Sequence, residues 1–540
     1  MQSVFIQYIC LILIILGLVM IADKLRLAYP IVLVLGGLAL SFVAPFSNIT
    51  IDPELVFLIF LPPLLYEAAW QVSWKEFWRR RGLIIGFAFP IVLFTSCVIA
   101  VVSSAVIPGF TLALGFLLGG IISPPDAVSA TTIMRRVNVP KSLVSLVEGE
   151  SLLNDASSLI VFRFALAAVL TGQFQFHQAA VNFVVVILAG ILIGLVVGLI
   201  FYGIHRLLPT TSSIEIVLSL VTPYCMYYAA EYFQVSGVLA VVSGGLLLSS
   251  KRDQMLSYRS RVEGLNVWTN LIFVFNGLIF LLIGLELPFV TQQLGNIRLG
   301  SAIGYGVIIA IVLIATRLLC TLGTAVLMRV MSRFIPVSDP NPGWRGPLIF
   351  GWTGMRGVVS LATALSIPIL TESGQPFPSR DLILFITFIV ILITLVFQGL
   401  TLPWLIRKVH LRDRFTLIPL QQQEIIIQKK IALASIRFLE ETYGGERSRN
   451  EHLDNLFSKL EIDLKVFDRE LEESNSAWQN SLKDYQSIYL KVLKRRRELL
   501  NKMNRRAEFD EGLIRKYLLL TDVEEFKVRE ISSQNSDIES

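Results

Sequence analysis

Gly351-Trp352-Thr353-Gly354-Met355-Arg356-Gly357 lies in the middle of an apolar run, 347–370, and its three glycines favour unwinding over continuous helix. A second interruption, Ser123-Pro124-Pro125-Asp126, falls inside the run 110–134. Adjacent prolines there remove backbone donors and favour an extended turn. Counted along the chain, these are the fifth and twelfth apolar runs. The offset of seven is odd, so in a bilayer the two enter from opposite sides. Paired broken helices of opposite direction are the expected signature of inverted-topology repeats around a midplane site. The plainer alternative is a pair of ordinary proline and glycine kinks.

The other runs follow outward from these two, at 4–22, 31–46, 54–70, 83–107, 142–170, 179–202, 214–232, 236–249, 265–289, 301–330 and 382–406. Nearly all are long enough for a helix of ~20 residues to cross ~30 Å of hydrocarbon, though 236–249 is short. The expected fold is therefore an all-α membrane protein of about 13 transmembrane helices, with two crossing broken helices. Its inverted repeats should span about 4–170 and 214–406, with the seventh run connecting them. Composition agrees, since 54% of the 540 residues are hydrophobic and only 16% charged, far from ordinary globular usage.

Basic residues test the count independently of hydropathy. When loops are assigned alternately to two sides, one side collects Lys24, Arg26, Lys75, Arg79, Arg135, Arg206, Arg252, Arg333 and others. The opposite side collects only Arg298 and Arg380. The richer side is expected in the cytoplasm, which puts the N-terminus outside and the C-terminal tail inside an integral protein of the cell (inner) membrane. The first run has no basic segment before it, and Lys24 and Arg26 follow it, so it reads as a retained span and not a signal peptide.

The formal charge of +6 sits largely in these short loops. Topology explains it, and no nucleic-acid partner is expected. Cys10, Cys97, Cys225 and Cys320 all fall in apolar stretches, where a small buried hydrophobe is the default and a disulfide framework is not. Only His177, His205, His410 and His452 are present, without close His/Cys spacing, so neither a zinc site nor another cofactor is expected. An intramembrane hydrolase would need a nucleophile and base, and no buried His serves Ser151 or Ser360. The chain does not read as an enzyme.

A charge at bilayer depth costs about 3 kcal/mol on insertion scales, so each needs a partner, water or a function. The sixth run carries Glu148, Glu150, Asp155 and Arg163. On a helix, Ser151 lies one turn before Asp155 on one face, while Glu150 and Asn154 form a second i, i+4 pair on the adjoining face. Asp155 is about 13 residues, or ~20 Å of helical rise, from the ends of its span. Removal from water favours its protonated form and a bound cation favours the carboxylate, so Na⁺ and H⁺ become mutually exclusive occupants. Glu67, in Leu61-Pro62-Pro63-Leu64-Leu65-Tyr66-Glu67, and Asp126 are further hard oxygen donors. Main-chain carbonyls freed by the break, such as that of Pro125, would add to them. Arg356 reads either as an anion binder or as a brace for Glu150 and Asn154, and the excess of acids favours the brace. Arg163, Glu215, Glu231, Glu286 and Arg317 are expected in structural pairing or snorkelling.

At this point the motifs carry a resemblance. Gly149-Glu150-Ser151-Leu152-Leu153-Asn154-Asp155-Ala156, with Leu61-Pro62-Pro63-Leu64-Leu65-Tyr66-Glu67-Ala68, Ser123-Pro124-Pro125-Asp126-Ala127-Val128 and Gly354-Met355-Arg356-Gly357, resembles the first monovalent cation:proton antiporter family, the NhaP and NHE-type sodium/proton exchangers. The resemblance covers the whole membrane domain in order. It implies a thirteen-helix, inverted-repeat homodimer working by elevator-like alternating access, with roles in sodium transport and pH homeostasis. It also implies that Asp155 carries the exchanged Na⁺ (or Li⁺) or proton, with Ser151, Glu67 and the Pro125 carbonyl as sodium ligands and Asp126 close by. Asn154, Glu150 and Arg356 would be the supporting network, and Asn-Asp resembles the electroneutral class. One departure is that the fifth-span break commonly reads Thr-Asp-Pro, whereas Pro125-Asp126-Ala127 lacks the Thr hydroxyl. A K⁺/H⁺ antiporter of the same architecture is the alternative, and a cation channel or membrane sensor is the rival of a different class.

The domain reading is a transmembrane antiporter domain at 1–408 and a cytoplasmic helical tail at 409–540. Within the tail, Leu456-Phe457-Ser458-Lys459-Leu460-Glu461-Ile462-Asp463-Leu464-Lys465-Val466-Phe467 alternates charge with apolar residues at roughly helical spacing. A packed helical hairpin is expected before a regulatory device that tunes the pH response.

Overall fold

A computed structural model of the chain describes residues 2–43, 56–137, 139–172, 176–292, 294, 297–333, 343–371, 374–409, 411, 420–472, 476–504 and 511–536. It divides into two compact units, Met1–Arg412 and Asp413–Ser540. No strand occurs among the described residues, and one isolated bridge joins Leu370 to Pro376.

The first unit opens with α1 (Gln2–Lys24), α2 (Tyr29–Leu40) and α3 (Leu61–Gln71). Pro62 and Pro63 open α3, where their missing N–H groups are tolerated, and a wide π turn, Val56–Phe60, precedes them. The Ile59 carbonyl, which Pro63 cannot serve, accepts a hydrogen bond from the Tyr224 hydroxyl at 2.9 Å. Next come α4 (Trp74–Gly86) and α5 (Val92–Val106), joined through a π turn around Pro90. The first broken helix is α6 (Leu112–Ile122) with α7 (Ala127–Arg136), and α8 (Lys141–Thr171) runs unbroken after it.

Continuing, α9 (Phe176–Leu207), α10 (Ser212–Tyr232), α11 (Gly237–Met255) and α12 (Tyr258–Leu285) lead to the short α13 (Leu287–Gln292) and the long α14 (Leu299–Met331). The second broken helix is α15 (Arg345–Trp352) with α16 (Val358–Leu365). Finally α17 (Arg380–Ile393) passes through a third π turn, Thr394–Gln398, into α18 (Gly399–Val409).

Eight helical stretches among the described residues are long and apolar enough to cross a membrane by length and composition. The runs expected at 31–46, 54–70 and 347–370 are instead the shorter α2, α3 and α15 with α16, because proline or glycine starts or interrupts them. The expected ends at 46 and 54 lie outside the described residues.

Packing sorts the helices into two bundles. In one, α4 to α8 pack with each other and with α14 to α18; in the other, α2, α3 and α9 to α12 pack together. The α2–α12 crossing is close enough that a Cβ on Gly37 or Gly284 would overlap the opposing backbone. The second unit contains α19 (Leu420–Tyr443) packed on α20 (Glu451–Glu472), and α21 (Ser476–Met503) packed on α22 (Glu511–Ser536). Phe457 is buried under the Arg447 guanidinium, 4.6 Å from its ring centre.

Candidate functional site

Each break is closed by the side chain its own sequence supplies. Asp126 caps α7, accepting from the amides of Val128 (3.0 Å) and Ser129 (3.4 Å) and from the Ser129 hydroxyl (2.6 Å). An acid there satisfies orphan donors and complements the positive end of the helix dipole. Arg356 does the reverse. Its Nε donates to the Ile122 carbonyl at the end of α6 (2.6 Å), its Nη1 donates to the Gly354 carbonyl, and its amide donates to Thr394 Oγ1 (3.1 Å) in the third π turn. A guanidinium at a helix C-terminus complements the negative dipole end.

The two breaks also hold one another. The Asp126 amide donates to the Met355 carbonyl at 2.7 Å. A Cβ on Gly357 would come within 2.6 Å of Asp126 Oδ2, so glycine permits this approach. The interruptions read from sequence therefore meet in space.

Alongside them runs α8, an unbroken helix that buries Glu150 (1% exposed), Asn154 (0%) and Asp155 (8%). Glu150 forms a bidentate pair with Arg317 of α14, Nη1 to Oε1 at 2.9 Å and Nη2 to Oε2 at 2.8 Å. This corrects the expected network, in which Arg356 braces Glu150. Arg356 is occupied by backbone carbonyls of the breaks, which its long side chain reaches from within the loop. Asn154 differs as well, since its Nδ2 reaches the Pro125 carbonyl at 3.5 Å, bridging α8 to the first break. That carbonyl, expected as an ion ligand, thus has an amide partner, with its second lone pair still available.

Asp155 has no hydrogen-bond or ion-pair partner for its carboxylate among the described residues. It lines a cavity of about 370 Å³ between the two bundles, together with Ser151, Glu67, Asp126 and Pro125. Asp126 and Glu150 are near enough to act on it electrostatically. Glu67 comes from α3 in the opposite bundle and accepts from the Gln71 amide. At the end of the cavity nearest the start of α8, Arg135 pairs with Glu148 at 3.0 Å. Among the described residues no three His, Cys, Asp or Glu side chains converge closely enough to hold a metal ion. Glu67, Asp126 and Asp155 share a chamber without forming a tight cage.

Arg317, expected in structural pairing, is paired, and its partner, which the sequence does not name, is Glu150. Several cavity residues carry no signal in the sequence. Tyr29, Thr131, Thr132, Asn276 and Ser360 also line the cavity. They carry no motif, and only packing brings them together.

A helical membrane domain whose two interrupted helices meet beside a buried acid has the architecture of a secondary transporter. The family model described as "Sodium/hydrogen exchanger, transmembrane" matches residues 10–408, and the chain belongs to that family. Among its relatives is the sodium, potassium, lithium and rubidium/H(+) antiporter of Bacillus subtilis, 36% identical over 68% of this chain and 56% of that protein. The protein of the same name from Bacillus pumilus is 32% identical over 82% of this chain and 66% of its own length. The chain thus spans less than two thirds of these two relatives. The low-affinity Na(+)/H(+) antiporter NhaS1 of Synechocystis is 33% identical, with 72% of this chain and 70% of that protein covered. In fold, the chain matches the sodium proton antiporter MjNhaP1 from Methanocaldococcus jannaschii, with a TM-score of 0.57 at 20% identity, covering 76% of this chain and 99% of that one.

Proposed function

We propose that this chain exchanges Na⁺ or Li⁺ for H⁺ across the cell membrane by alternating access, with cation and proton competing for Asp155. The observation that carries the reading is the unpartnered Asp155 carboxylate in a cavity beside the meeting point of the breaks. The Asp155 carboxylate offers one charge to one monovalent cation or one proton, which supports electroneutral one-for-one exchange. The Na⁺ ligands would be Asp155, Ser151, Glu67 and the free lone pair of Pro125. Asn154 fixes the Pro125 carbonyl, Arg317 neutralises Glu150, and Arg356 ties the breaks together.

The wider architecture belongs to the same proposal. About thirteen spans, inverted repeats at about 4–170 and 214–406, an outside N-terminus, a cytoplasmic tail from 409 and a homodimer fit the loop charges and the two bundles. One bundle draws its spans from 74–171 and 299–409, three helices or helix pairs from each half of the chain, as an inverted repeat requires. The Bacillus relatives favour one variation, a site that also takes K⁺.

Proteoliposomes test the reading. A Na⁺ or Li⁺ pulse is expected to drive protons the opposite way, unaffected by a clamped membrane potential. Net cation current without proton movement would instead make the protein a channel. Asp155→Asn is expected to abolish exchange in a folded protein, and exchange that survives in that variant overturns the assignment.

A further inference from the structure

A second cavity, of about 380 Å³, lies in the same unit, and three elements line both chambers in the same order. Along α8 the first cavity takes Ser151 and Asp155, and the second takes Leu159 and Arg163. On the stretch entering α3 the first takes Phe60 and the second Leu58. At the end of α16 the first stops at Ala362 and the second takes Ser366. Four helical residues rise ~6 Å. One turn of side chains therefore separates the chambers, on the side of Asp155 away from the Arg135–Glu148 pair.

The second chamber holds an ion pair. Arg163 Nη2 lies 2.8 Å from both carboxylate oxygens of Glu231. Arg163 stands on α8, which packs mainly on α4 to α7 in one bundle and touches α3 and α11 of the other along its length. Glu231 is in the last turn of α10, which packs on α9, α11 and α12 in the other. The pair therefore ties together two bundles that alternating access requires to shift. Both side chains are partly exposed, 45% and 31%, and a partly solvated ion pair is weak enough to break and re-form in every cycle.

We propose that the second cavity is the access chamber to Asp155 from the opposite membrane face, and that the Arg163–Glu231 pair latches it shut. While the pair is closed, Arg163 neutralises the chamber's acid and repels a cation. When the bundles part, Glu231 is freed to face a passing monovalent cation. The inference rests on the exchange reading above.

Side-specific thiol labelling tests it without requiring transport. Leu159→Cys is made in the full chain with Cys10, Cys97, Cys225 and Cys320 replaced by Ser, and assayed in vesicles of both orientations with a charged, membrane-impermeant reagent. Leu159→Cys is expected to label from one face and a parallel Ser151→Cys from the other. Arg163→Gln should speed Leu159→Cys labelling about threefold, the ratio expected for losing a weak ion pair. The charge swap Arg163→Glu with Glu231→Arg should restore the slow rate. Labelling of both cysteines from one face, no labelling of Leu159→Cys from either, or a rate unmoved by Arg163→Gln overturns the proposal. A cysteine-free parent that moves no protons, while Leu159→Cys and Ser151→Cys label from opposite faces, would instead overturn the exchange reading alone.

Discussion

Glu150 and Asp155 stand five residues apart on one buried helix and have opposite fates. Glu150 meets a guanidinium in a bidentate pair, away from the cavity that its neighbour lines. Asp155, barely more exposed, faces that cavity without a partner. Both acids had to be removed from water when the chain entered the bilayer. One was neutralised by the fold and so became structure. The other was left to be neutralised by whatever enters, which is what exchange requires. Burial alone does not mark a functional acid; the missing counter-charge does.

The largest expected effect comes from removing the second member of this comparison. Asp155→Asn should lower cation-driven proton flux to background while detergent-extracted protein keeps its melting temperature, because no ion pair is broken. Breaking the first member should do the reverse. Glu150→Gln or Arg317→Gln leaves a buried charge unpaired, at a cost of about 3–5 kcal/mol, read as loss of folded protein on extraction. Replacing both with apolar residues should recover much of that stability, and a double variant as unstable as the singles would show that the pair does more than neutralise.

Intermediate effects sharpen the contrast. Asn154→Asp adds a fourth acid to α8 without a new base, so it should reduce thermal stability and not simply convert exchange to an electrogenic mode. Unchanged melting together with potential-driven flux would refute that. Ser151→Ala removes one neutral oxygen from the cavity, worth about 1 kcal/mol, and should raise the cation KM about fivefold with little change in the maximum rate.

The smallest effect belongs to the tail. Hydrogen bonds from Arg497 and Arg529 hold Glu525 below the usual carboxylate range. A carboxylate held low stabilises the fold above its unfolded value of ~4.3 and loses that contribution only as pH falls through the lower folded value. Nothing at this site changes near neutrality, so Glu525→Gln should leave the pH profile of exchange where it was. A displaced midpoint would make this part of the tail a sensor.

The breaks themselves show how much could be read in advance. Proline at 124 and 125 and glycine at 351, 354 and 357 act on the backbone locally, through missing donors and missing side chains, so they are legible in a linear string. Asn154-Asp155 is legible for a similar reason, because polar residues deep in an apolar run are costly enough to stand out in a linear string. By itself the sequence therefore determined a helical membrane protein, two interruptions and the acid between them. Which base answers which acid was decided only in three dimensions. Arg317 lies 167 residues from Glu150, and choosing it over Arg356 depends on where the packing of the bundle places α14 relative to α8. The same holds for the bond from Asn154 to Pro125 and for the second chamber beyond Asp155. Long side chains pair by proximity, and proximity between distant segments is set by packing.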